Sequence, residues 1–149
     1  MKQMTGYKTA SILSLFIAHL ATASVQNCEL PLSLVGSRVL LGINGMHAPT
    51  NPKAGNLQAL TFTNTQIQDK NMITGDISLG TYRYSRLTPK IGLLEVQLTQ
   101  GTEQSTYREI LVCKTALIGK FIFSQTQGLI KPDIRQDSGS YILQPHYSY

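Results

Sequence analysis

The sequence predicts an all-β domain, a small antiparallel meander of seven or eight strands. Three observations point there. Most segments after residue 32 alternate side to side with period two, as in Leu94, Val96 and Leu98 against Leu93, Glu95 and Gln97. Turn-forming clusters separate these segments, and nothing beyond the first 23 residues carries a helical stripe longer than two turns. Charged residues make up only 14% of the 149 and hydrophobic residues 42%, which excludes a disordered chain, a coiled coil and a charge-rich helical bundle.

The chain opens like an export signal. Lys2 and Lys8 form a positive start, Ala10 to Leu20 is an apolar run, and Ala21-Thr22-Ala23 supplies the small residues a signal peptidase reads. Cleavage is predicted after Ala23, leaving 24–149 as one β domain. The apolar run is too short for a membrane span, which needs about 20 residues. Asn27 before Cys28 fits lipid attachment poorly. The expected location is therefore exported, periplasmic or extracellular. Two cysteines in such a chain predict a Cys28–Cys113 disulfide, the alternative being two separate buried thiols. The processed chain would carry 11 basic and 8 acidic residues, too mild an excess to imply a nucleic-acid partner.

Along the chain, Ser33 to Leu41 reads as the first strand, and Gly42 to Asn56 as a long loop punctuated by Pro49, Pro52 and three glycines. Leu57 to Thr65 is the second strand, with Leu60 and Phe62 alternating against Thr61 and Thr63. Gln66 to Asn71 reads as a polar turn region, and Met72 to Ser78 as a short strand. Thr81 to Gln100 is the clearest hairpin, turning at Leu87-Thr88-Pro89-Lys90. Thr106 to Lys114 and Leu117 to Ser124 follow as strands. In the first of these, an inward Cys113 takes Leu111, Glu109 and Tyr107 with it, but which face points inward stays open. Gln125 to Gly139 reads mostly as loop and Ser140 to Gln144 as the last strand. Both a two-sheet sandwich and a barrel fit. The closed or partly closed barrel is favoured, because sequential hairpins make a meander and closure removes exposed edges.

Several runs form a pattern: Gly80-Thr81-Tyr82-Arg83-Tyr84, Leu93 to Leu98, Tyr107 to Leu111, Gly119-Lys120-Phe121 and Gly139-Ser140-Tyr141. This pattern, over about residues 80–144, resembles a loosely defined group of exported bacterial all-β domains with a Gly-x-Tyr-x-Tyr hairpin, similar in strand order to small lipocalin-like barrels. The resemblance implies a barrel and carries no catalytic constellation. Pro89 and Lys90 in the turn, and the Pro-containing stretch before the last strand, depart from the pattern.

No catalytic, metal or cofactor motif stands out. His47 and His146 lie far apart, Asp133-x-Arg135-x-Asp137 lacks the length and glycine of a calcium loop, and no phosphate-binding loop is present. Three functions remain. The first is a binding module holding a small apolar or amphipathic ligand against Phe62, Tyr82, Tyr84, Tyr107 and Phe121, gated by loop 42–56. The second is a protein-interaction or inhibitor role presented by loops 42–56 and 125–139. The third is a hydrolase-like enzyme using His47 or the Glu95/Glu109 pair. A monomer or weak dimer is expected, with an unknown small molecule or protein as partner.

Overall fold

A computed structural model describes residues 28–128 and 131–145. Eight strands close into one antiparallel barrel in sequence order: β1 (Arg38–Ile43), β2 (Leu57–Phe62), β3 (Gln66–Asn71), β4 (Ile77–Thr88), β5 (Ile91–Gln100), β6 (Glu103–Cys113), β7 (Ile118–Gln127) and β8 (Arg135–Gln144). β8 pairs back onto β1, with Leu41 opposite Tyr141 and Val39 opposite Leu143. Every strand therefore has two neighbours and none is left as an edge.

The alternation expected for β5 holds. Leu94, Val96 and Leu98 are buried, and Glu95 points outward to Arg108 at 3.0 Å. Register then fixes the other strands, since residues directly opposite share a face. Val96 opposite Tyr107 and Leu94 opposite Glu109 turn Tyr107, Glu109, Leu111 and Cys113 inward. Phe121 and Phe123 follow on β7, opposite Leu111 and Glu109.

Several element boundaries differ from the sequence reading, among them β6, which starts at Glu103, and β7, which runs to Gln127. Gln66–Asn71 is strand β3 and not a turn, because buried Ile67 anchors its inner face. The turn instead falls at 72–76, where the Asn71 side chain accepts hydrogen bonds from the Ile73 and Thr74 amides and Gly75 has φ of 83°. β8 begins at Arg135, five residues before the predicted start, with Arg135 and Asp137 opposite Gln125 and Phe123 of β7. The chain from 33 to 37 is not strand. It turns at Gly36, whose φ is 72°, and β1 starts at Arg38.

The segment before β1 closes one end of the barrel, here the lower end. Leu30 and Leu34 are buried among the core side chains. Tyr84 donates from its hydroxyl to Pro31 O at 3.0 Å, and Arg86 donates to Leu30 O at 3.0 Å and pairs with Glu29 at 2.6 Å. A disulfide joins Cys28 to Cys113 at the lower end of β6, with Cα atoms 5.8 Å apart. The turns 63–65, 89–90 and 114–117 share that end. Loop 44–56, turn 72–76, turn 101–102, the end of β7 and the start of β8 all lie at the other.

Candidate functional site

The barrel interior changes character along its length. Towards the lower end it is apolar, built from Val39, Leu60, Ile67, Leu94, Leu111 and Leu143 around the Leu30–Leu34 plug. Towards the upper end the same inward positions become polar. Gln58, Asp69, Tyr107, Glu109, Gln125, Arg135 and Asp137 all face a cavity of about 120 Å³. Ile43, Leu98, Phe121 and Phe123 supply its apolar wall, and Lys53 reaches it from loop 44–56. That loop is held by Asn51, whose side-chain amide donates to Asn44 O at 3.0 Å and Met46 O at 3.1 Å.

Five acidic and basic side chains, with the phenol of Tyr107, thus meet in one chamber. Glu109, Asp69 and Arg135 are 2%, 8% and 5% exposed. Gln58 donates to Asp69 Oδ2 at 3.1 Å. Arg135 donates from Nε to Gln125 Oε1 at 3.3 Å, its guanidinium lies 5.0 Å over the Phe123 ring, and Gln125 in turn donates to Asp133 O at 3.0 Å. Asp69 Oδ1, Glu109 Oε2, Asp137 Oδ1 and one terminal nitrogen of Arg135 remain buried without a hydrogen-bond partner among the described residues.

Burial dominates the protonation of these groups, because a low-dielectric chamber disfavours every charge. The Glu109 carboxyl is pushed up to about 8, with Asp69 and Asp137 adding to the effect and Lys53 opposing it. Asp69 rises to about 6 by burial, against the pull of Lys53. Asp137 is also raised by burial, with Arg135 and Lys53 opposing. Burial lowers both Lys53 and Arg135 from their ordinary values. Tyr107 is held well above the usual phenol range, so it stays a neutral donor. Burial thus favours the neutral form more strongly at Glu109 than at Asp69.

All five aromatic residues singled out in the sequence sit on the inner side of the barrel, but at different heights. Tyr107 and Phe121 line the chamber. Phe62 lies in the apolar core edge-on to Tyr82, with ring centroids 5.0 Å apart. Tyr82 donates to Thr63 O at 2.7 Å, and Tyr84 is bound to Pro31 in the lower plug. Glu95 is outside the barrel and Glu109 inside, so the two share no site. His47 is exposed in loop 44–56, and His146 lies outside the described residues. Sequence reasoning missed Lys53, Asp69, Arg135 and Asp137. The Ile67-x-Asp69 alternation was the available signal for β3.

Among the described residues, no three or more His, Cys, Asp or Glu side chains are grouped so as to hold a metal ion. No protein-family model, curated protein or solved structure matches the chain.

Proposed function

We propose that this chain is an exported binding module whose barrel holds a small amphipathic molecule in the upper chamber, beside loop 44–56, which carries Lys53. One observation carries the reading: buried ionisable groups stand where an apolar core would pack. Glu109 occupies an inward position between Leu94 and Phe123, where leucine would stabilise the fold and glutamate costs several kcal/mol if ionised and unpaired. Groups of that kind, converging on a cavity with shifted protonation, are the usual mark of a binding or reactive site. The Cys28–Cys113 disulfide is consistent with an oxidising compartment. Polar and charged lining favours the amphipathic ligand of the sequence reading over a purely apolar one.

A second reading has its own support. Ile110 and Ile122 are paired across β6 and β7, Ile118 and Ile142 across β7 and β8, and all four are exposed on the outer wall. Such a patch suits a protein partner. Melting curves of the oxidised protein against a library of small polar molecules test the first reading. A compound that raises the midpoint of the native protein but not of Asp69→Asn supports it. Failure of every compound, with a protein partner captured through the Ile122 face, overturns it.

A further inference from the structure

The charges in the chamber do not satisfy one another. Elsewhere the described residues pair Arg86 with Glu29, Arg108 with Glu95 and Lys131 with Asp133 at 2.6 to 3.0 Å, all towards solvent. In the chamber, Lys53 feels Asp69, Asp137 and Arg135 electrostatically, and Arg135 feels Asp137, yet no two of these groups come within 4.0 Å as an ion pair. Two carboxylate oxygens and one guanidinium nitrogen of this set are also buried without hydrogen bonds. Desolvated groups of both signs that line one cavity without pairing lack the contacts that offset their burial.

Resting on the binding reading above, we propose that the ligand is a small zwitterion, its cationic group held by Asp69 and Asp137 and its anionic group by Arg135 and Lys53. Three features select this class. Two basic side chains, Lys53 and Arg135, and two acidic ones, Asp69 and Asp137, line the same chamber, so a ligand of one sign would leave the groups of that same sign uncompensated. Phe121, Phe123 and Leu98 give an apolar wall for a short aliphatic stem. The volume of about 120 Å³ is close to that of cavities that take benzene, which limits the ligand to roughly five to eight non-hydrogen atoms. Glu109, whose Oε2 is buried without a hydrogen-bond partner among the described residues, lines the same space.

Titration calorimetry at pH 7 on the oxidised chain tests the assignment. The probes are glycine, β-alanine, γ-aminobutyrate and glycine betaine, with butylamine, butyrate and butyramide as controls carrying one charge or none. At least one zwitterion binds ten-fold or more tightly than every control. Asp69→Asn and Arg135→Gln each weaken that zwitterion at least ten-fold. Of the two, only Asp69→Asn weakens butylamine, and only Arg135→Gln weakens butyrate. A control that binds as well as the zwitterions overturns the assignment and leaves the binding module standing. If no probe binds, the assignment also falls. Native mass spectrometry of the same sample then separates the two claims, since a different retained molecule preserves the binding reading. A protein free of any retained molecule and silent to every probe removes both.

Discussion

Gln58 Nε2 donates to Asp69 Oδ2 at 3.1 Å, while Oδ1 of the same carboxylate stays buried and unpartnered. The pair joins β2 to β3 diagonally across their inner faces and holds the carboxylate towards the cavity. Half of the carboxylate is thereby satisfied by the protein and half is left for something else. Gln58→Leu removes the only hydrogen bond that the described residues give to the Asp69 carboxylate. It is expected to raise the Asp69 titration above its value of about 6 and to destabilise the fold by roughly 1.5–3 kcal/mol. Carbon-detected NMR titration of the side-chain carboxyls reads the first effect and urea denaturation the second.

The chamber acids make stability depend on pH in a direction opposite to that of paired surface carboxylates. Glu109 titrates at about 8 in the folded chain against an ordinary 4.5, and Asp69 at about 6 against 3.8. Across those windows the native state binds more protons than the unfolded state, so stability falls as pH rises from about 4 to about 8. For Glu109 alone the loss is on the order of 5 kcal/mol at most. Glu109→Gln flattens this slope, and Glu109→Leu makes the protein more stable at pH 8 than the native chain. Denaturant midpoints measured at intervals from pH 4 to pH 8 check both variants. A native profile that climbs with pH contradicts the account.

The lower end depends on a covalent tie. The disulfide closes a loop of 85 positions and fixes the segment that carries Leu30 and Leu34. Replacing both cysteines with serine is expected to cost about 2–5 kcal/mol. It also frees the Leu30 amide, which donates to Pro89 O, for exchange with solvent. Hydrogen exchange at Leu30 and Leu34 rises ahead of exchange at β5 and β6 in that variant.

Gly119 and Gly139 face Tyr141 and Phe121 across the β7–β8 ladder, so each strand's aromatic ring covers the other strand's glycine. A Cβ on Gly119 would lie 2.4 Å from the Tyr141 ring and 2.3 Å from Val112 O. One on Gly139 would lie 2.6 Å from the Phe121 ring and 2.1 Å from Gly42 O. Backbone oxygens cannot move aside as a flexible side chain can, so Gly119→Ala and Gly139→Ala each destabilise by about 1–3 kcal/mol or more. Thermal denaturation of the two variants measures this.

The barrel was legible because most inward positions obey a two-residue period that apolar residues mark plainly. Leu94, Val96 and Leu98 set the inner face of β5, and register carries that face around the ring. The Gly-x-aromatic runs marked places where rings need a flat neighbour. The chamber was hard to read for the converse reason. Where β3 and β8 enter it, their inward residues are Asp69, Arg135 and Asp137, so the alternation that identifies a strand is polar on both faces. Those stretches look like turn and loop. Lys53 was invisible to periodicity because it lies in an irregular loop. Glu109 was partly legible, since Leu111 and Cys113 share its face.

Native mass spectrometry of the oxidised chain, purified gently without refolding, tests the central claim of a ligand-binding chamber most directly. The account predicts a retained molecule of roughly five to eight non-hydrogen atoms, present on the native protein and absent from a folded Glu109→Leu variant. A native chain that neither retains nor binds such a molecule, or a molecule that Glu109→Leu binds equally well, would contradict it.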